Sequence, residues 1–449
     1  MKGHWKPRLL SAVIALVLSA WAGVASADVV TAWNDHLLAV TTAASVNRPN
    51  AEIGAASAYM HIAMYDAISS IDGNYIPFAT HVTNAPAGAS REAAAIEAAY
   101  RIVAYLYPAA TFPGPAMQFA NFYALDMGTI SNGLAKTDGM AVGLAAAGGL
   151  IALRQNDGFR AIVPYTFLPL GPGVYQKTPG PDGTIGTYIG PATPWMKQFR
   201  PFAMLAPDQF RADPPPALDS AQWAEDFNEV KAFGAASNLP NSRSAEQEEI
   251  GLFYGLINAQ VQVNRNLRKL AADQGLSAGP TADIGESSRF FAQATVTMSD
   301  TFVGCWESKY AYNFWRPVTA IQHADIDGNA ATDADPAWMP QIVTPTHPEY
   351  PSAHGCVTSA YAHAIAEFFG TKRLPGGITL TGAAGHPDRH FDSTDDIIKE
   401  IIDARVYNGV HYRTSVVEGT ILGRKVANWV AKFYFKPTGA HIPQGPKRE

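Results

Sequence analysis

Lys309 and Arg316 stand seven positions apart in Lys309-Tyr310-Ala311-Tyr312-Asn313-Phe314-Trp315-Arg316-Pro317, two cations set among Tyr, Phe and Trp. Such a setting suits the grip of an anion, with a guanidinium holding two oxygens and an ammonium acting as a point charge. A second stretch, Thr346-His347-Pro348-Glu349-Tyr350-Pro351-Ser352-Ala353-His354, reads as a stiffened approach to a helix capped by Ser352. The first N–H groups of that helix lack partners and lie at the positive end of its dipole, so an oxyanion can dock there beside His354. A third stretch, Asp403-Ala404-Arg405-Val406-Tyr407-Asn408-Gly409-Val410-His411, adds another cation and another histidine. Together they carry the chemistry of a tetrahedral oxyanion seat with two histidines for proton transfer or ligation.

The elements that must position these groups are mostly helices. Helical period and caps predict helices at about 29–46, 51–70, 90–107, 115–154, 218–234, 244–273, 286–314, 352–369, 394–407 and 412–434. Seven positions are close to two turns, which would place Lys309 and Arg316 on nearly one face of the 286–314 helix. Pro317 should end that helix near Arg316. Asn408-Gly409 is a break that lets His411 turn back towards Arg405. Residues 161–216 are punctuated by Gly and Pro and rich in aromatics, so they read as an ordered wrap over the helices. The chain is therefore mainly α, with helices in bundles and a long Gly/Pro-rich wrap.

Lys2, Lys6 and Arg8 precede the apolar run Leu9–Leu18, and Ala25-Ser26-Ala27 offers small residues for cleavage. This is the pattern of a secretory signal peptide over 1–27, so export to the periplasm or the outside is expected. No later stretch reads as a membrane span. Lys and Arg number 33 against 39 acids, with no basic block, which argues against nucleic acid as a partner. Two cysteines, Cys305 and Cys356, are too few for a disulfide scaffold. Each lies about a turn from a site residue, so the two sulfurs could meet and form a bridge clamping the site. The acidic run Asp325–Asp335 does not space its acids as an EF-hand does and reads as a solvated turn, and so does the loop with His386, Asp388 and His390. Asp300 could brace one of the cations.

The order Lys, six residues, Arg-Pro, then Pro-Ser-Ala-His, then Arg, five residues, His, resembles the vanadium-dependent haloperoxidase and type 2 phosphatidic acid phosphatase superfamily. The likeness covers 306–411 and looks most like the bacterial haloperoxidase-type branch. It implies two four-helix-bundle-like halves: 28–250 as the first bundle with the wrap, and 251–449 as the second bundle with the site. It implies that Lys309, Arg316, Ser352, the Ala353 N–H and Arg405 hold the oxygens of vanadate, or of phosphate in the same seat. His411 would bond vanadium and His354 would move protons.

The family usually has Gly at the position of Ala353 and Ser at that of Ala404. Ala353 keeps its N–H but narrows the backbone approach. Two reactions share such a seat. In one, vanadate and hydrogen peroxide oxidise a halide that then reacts with a small organic acceptor, and Lys309 polarises the oxygen attacked. In the other, His411 attacks a phosphate ester and His354 protonates the leaving alcohol. Trp306 resembles the haloperoxidase pattern, and His347 matches a second histidine found in bromoperoxidases, which favours bromide or iodide.

Overall fold

Helix starts are written locally. Asp28, Ser90, Ser220, Ser244, Asp283, Ser352 and Ser393 each turn a side-chain oxygen onto a first-turn N–H of the helix that follows. Ser244 and Gln247 complete a reciprocal capping box. The computed structural model describes residues 28–180, 184 and 191–441. The predicted leader at 1–27 lies outside the described residues, as do 181–183 and 185–190 of the wrap.

The described helices are α1 (Val29–Thr42), α2 (Asn50–Asp72), α3 (Arg91–Leu106), α4 (Pro113–Gly128), α5 (Leu134–Leu153), α6 (Ala221–Phe233), α7 (Ala245–Gly255), α8 (Ala259–Asp273), α9 (Ile284–Tyr312), α10 (Pro317–Gln322), α11 (Ala353–Phe369), α12 (Thr394–Tyr407) and α13 (Arg413–Phe433). One antiparallel hairpin pairs β1 (Ile378–Leu380) with β2 (Arg389–Phe391).

Two predicted helices are each divided in the structure. The 115–154 stretch breaks between α4 and α5, where Gly133 takes φ +151°. The 244–273 stretch breaks at Asn258, whose side chain caps α8 through the N–H groups of Gln260 and Val261. Apolar periodicity runs through both breaks, because a short reversal leaves the apolar spacing nearly intact.

Helices α2 and α9 form the spine. α2 is buried on nearly all sides, as an apolar helix at the centre of a bundle should be. It packs against α3, α5 and α9, while α9 also packs against α11 and α13, so the 29-residue α9 runs through both groups of helices. α11 and α13 form the second group with α12, and α7 leans on α12. A separate aromatic cluster of Trp223, Phe314, Trp315, Tyr350 and Tyr412 lies beside this group. It matters for function, because Trp315, Tyr350 and Tyr412 are the chain neighbours of Arg316, Glu349 and His411.

The wrap is ordered where it is described. Its Gly173–Tyr175 segment bonds to Asn313 and Trp315, and Val174 forms a bridge with Phe314. Asp300 does not brace the cations; its buried carboxylate accepts the N–H groups of Phe202, Ala203 and Met204, each at 2.7 Å. It fastens the wrap to α9. The 325–335 loop is exposed at Asp325 and Asp333, as a solvated turn should be, but Asp327 is buried and accepts the Trp223 indole N–H at 3.0 Å and the Thr332 hydroxyl at 2.8 Å. No described helix is long and apolar enough to cross a membrane.

Candidate functional site

The structure brings Lys309, Arg316, His347, Ser352, Ala353, His354, Arg405 and His411 together between the C-terminal end of α9, the start of α11 and the α12–α13 corner. Lys309 and Arg316 do not get there by sharing a helix face. α9 ends at Tyr312 and Asn313 takes a left-handed turn at φ 50°, so Arg316 arrives in extended geometry as the residue before α10. Pro317 opens α10 instead of closing α9, which suits its missing N–H.

Both cations address the loop that leads into α11. The Lys309 ammonium donates to the carbonyls of Pro348 (3.0 Å), Glu349 (2.9 Å) and Pro351. Arg316 donates to the carbonyls of His347 (3.0 Å) and Val410 (2.8 Å). Its remaining contacts are to two imidazoles. Guanidinium can only donate, so the His411 Nε2 at 3.2 Å is an acceptor, while the His347 Nδ1 lies between the guanidinium at 3.0 Å and the Pro348 carbonyl at 3.1 Å. His411 therefore carries its proton on Nδ1, which donates to Glu349 Oε1 at 2.7 Å.

Glu349 escaped the sequence reading. It is fully buried, it also accepts the Tyr412 N–H at 3.2 Å, and its carboxyl is pushed up to about 7 by burial, opposed by Arg316 and Lys309. The available signal was a lone acid between Pro348 and Pro351 in a stretch otherwise rich in groups that hold anions.

Arg405 differs from the other two cations. Its Nη1 bonds to Asn408 Oδ1 at 2.6 Å, while its buried Nε has no protein partner. Burial, with Arg316 nearby, lowers its pKa to about 9, and burial lowers that of Lys309 to about 8. His354 is held by the backbone carbonyl of Tyr254, at the end of α7, and its Nε2 is buried without a partner. Its pKa, like those of His347 and His411, is driven well below the usual value, first by burial and then by the surrounding cations. All three rings are therefore neutral at pH 7.

Ser352 caps α11 by accepting the Gly355 N–H at 3.3 Å, which leaves its own hydroxyl hydrogen to donate. Ala353 opens the helix and is nearly buried. Trp306 packs against His347 with ring centres 5.0 Å apart, and its indole donates to the Ala192 carbonyl at 3.1 Å, so the wrap crosses this side of the site. Gly409 shapes the corner that turns His411 inward. It has φ +72°, and a side chain there would collide with the Gly234 carbonyl oxygen.

Cys305 and Cys356 do meet, with their thiols hydrogen-bonded to each other, but both are free and buried. His386 and His390 contact Glu249 and Thr379 respectively, and among the described residues no group of three or more His, Cys, Asp or Glu side chains is gathered that could hold a metal ion. The site instead presents donors: three buried cations, a helix N-terminus and a hydroxyl, with only one carboxylate, which is turned to His411. The orphaned Arg405 Nε and His354 Nε2 fit an oxyanion such as vanadate or phosphate.

Residues 289–439 match the family model of the VCPO second helical-bundle domain. A vanadium chloroperoxidase of Curvularia inaequalis is 22% identical over 313 residues, covering 56% of this chain and 49% of that protein. The chain thus spans about half the length of the curated relative it matches. A bacterial vanadium-dependent iodoperoxidase structure superposes with a TM-score of 0.72 at 23% identity, covering 89% of this chain and 94% of that one. An apo bacterial vanadium-dependent chloroperoxidase gives 0.63 at 16% identity, covering 84% and 91%. The chain therefore has the helical-bundle fold seen in the bacterial vanadium haloperoxidase structures, and its residues 289–439 resemble the VCPO second helical-bundle domain.

Proposed function

We propose that this chain is a vanadium-dependent haloperoxidase-like enzyme that uses hydrogen peroxide to oxidise a halide, with bromide or iodide favoured. The observation that carries the reading is the buried cluster of Lys309, Arg316 and Arg405 around neutral His354 and His411, with Arg405 Nε and His354 Nε2 left without protein partners. Vanadate bound there supplies a Lewis-acidic centre that activates peroxide without a change of oxidation state.

The chain's own residues do the rest. Arg405 and Arg316 neutralise the oxygens, and Ser352 and the Ala353 N–H donate at the helix start. His411 Nε2, once released by Arg316, would be the donor to the metal. His354 Nε2 takes a proton from incoming peroxide and returns it to the departing oxygen, which requires a neutral imidazole at rest. Lys309 acts through its charge and by fixing the 348–351 carbonyls. His347, neutral and packed on Trp306, presents a polar edge where the choice of halide is set.

A second reading has one observation in its favour. An imidazole backed by a carboxylate, with its other nitrogen facing an oxyanion seat, also suits a nucleophile that attacks a phosphate ester. One experiment separates the two. Purified protein is given vanadate and assayed for peroxide-dependent bromination of a phenol and, without vanadate, for hydrolysis of an aryl phosphate. Vanadate-dependent bromination that disappears in His411→Ala is the expected result. Hydrolysis that vanadate inhibits, with no halogenation, overturns the proposal in favour of the phosphatase.

A further inference from the structure

We propose that Glu349 is a positioning residue that holds His411 in its Nδ1–H tautomer and strengthens Nε2 as a donor to the oxyanion's central atom. The inference rests on the reading of the site as a vanadate seat and adds to it a residue that the motif does not include.

The geometry is specific. Glu349 Oε1 sits 2.7 Å from His411 Nδ1 and 3.2 Å from the Tyr412 N–H, so a single oxygen spans the residue to be oriented and its chain neighbour. Tyr412 is the residue before the first turn of α13, so the carboxylate also lies at the positive end of a helix. The backbone of Glu349 is fixed independently: its N–H donates to the Phe314 carbonyl at 2.9 Å and its carbonyl accepts from Lys309 at 2.9 Å. Pro348 and Pro351 limit the loop on either side, and Tyr350 is anchored in the aromatic cluster. The loop backbone is therefore fixed with the carboxylate aimed at His411 and the start of α13. Among the described residues Glu349 is the one acid that faces the site, and it is hydrogen-bonded to a histidine rather than to Lys309, Arg316 or Arg405. A carboxylate on the far nitrogen of a ligating imidazole fixes the tautomer and raises the basicity of the near nitrogen.

A purely structural acid and a donor-tuning acid predict different responses to Glu349→Gln. Gln keeps the acceptor for His411 Nδ1–H and the size of the side chain, and removes only the negative charge. By simple electrostatics, losing that charge tightens any anion held by the cations. Sulfate is such an anion, because it cannot accept a further bond from nitrogen. Vanadate can, so its affinity reports donor strength as well.

The experiment measures, at pH 8.5 where the Glu349 carboxyl is ionised, vanadate and sulfate dissociation constants by calorimetry, and the vanadium-51 resonance of bound vanadate, in wild type, Glu349→Gln and Glu349→Asp. The expected result for Glu349→Gln is vanadate binding weakened about 10- to 100-fold, sulfate binding unchanged or tighter, and a displaced resonance. Glu349→Asp keeps the charge but withdraws it by one methylene, and should weaken vanadate while leaving sulfate unchanged. If vanadate and sulfate move together in both variants and the resonance stays in place, Glu349 is structural and the inference fails. If wild type itself binds vanadate no more tightly than sulfate, the underlying vanadate reading fails, an outcome visible before any variant is made.

Discussion

Arg154 and Arg405 are almost equally buried, at 5% and 1% exposure, yet only the first has an acid beside it. In the N-terminal group of helices, Arg154 pairs with Asp157 at 2.8 Å, donates to the carbonyl of Pro201 at 2.8 Å and lies 4.1 Å from the Phe202 ring centre. Arg160 and Arg48 share Glu52 in the same group. Around the site, Arg405 is offered a neutral amide, and Lys309 and Arg316 are offered carbonyls and imidazoles. Burying charge without a counter-charge disfavours folding. Acids pair with cations elsewhere in both halves, as at Arg154 and Arg389, so three buried cations offered only neutral groups are what the proposed oxyanion seat requires.

The largest test of this contrast is stability. Arg154→Leu leaves Asp157 buried without its partner and should cost about 3–5 kcal/mol in urea unfolding. Arg405→Met removes an unpaired buried charge, so its unfolding midpoint should stay at or above wild type. That variant should lose affinity instead, with vanadate binding weakened by about 2–5 kcal/mol, on the order of 30- to several-thousand-fold. Equal destabilisation by the two substitutions would dissolve the distinction between a folding cation and a binding cation.

Much of this arrangement was legible in the chain, and the unread part has a common character. Helix starts carry their own caps, as at Ser244 and Ser352, and the cationic and histidine positions could be read as side-chain chemistry at fixed spacing. Apart from the Glu349 side chain, what escaped depends on backbone atoms brought from far along the chain. The Tyr254 carbonyl that orients His354, the Pro348–Pro351 carbonyls that hold Lys309 and the N–H groups of 202–204 that claim Asp300 have no residue-type signal. Asn408 was readable as a helix break but not as the partner of Arg405, because its side-chain role appears only once the corner is folded.

Proton linkage sharpens the comparison at a smaller scale. Asp66, on α2, accepts the N–H groups of Phe78, Ala79 and Thr80, and burial raises its pKa from 3.8 to about 7. Between these values the folded chain holds more protons at this position than the unfolded chain. Asp66 should therefore make stability fall as pH rises from about 4 to 7, by at most about 1.4 kcal/mol per pH unit. Urea unfolding across that range should show the fall in wild type and a flatter profile in Asp66→Asn. A profile unchanged by the substitution would mean that the carboxyl keeps its ordinary pKa in the fold.

The smallest effect concerns Ala353. As the first residue of α11 it would offer its N–H to the proposed seat, while its methyl occupies space that a glycine would leave open. Ala353→Gly should lower stability by up to about 1 kcal/mol, because glycine gives up more backbone freedom in a helix. The same change lets an oxyanion approach the α11 N-terminus more closely, so vanadate affinity should rise modestly, by a gain of about 1 kcal/mol at most at a helix N-terminus. Opposite signs for folding and binding at one residue repeat, in miniature, the contrast between Arg154 and Arg405. If Ala353→Gly weakens both, the backbone at 353 serves the helix alone and the seat lies elsewhere among Ser352, Arg316 and Arg405.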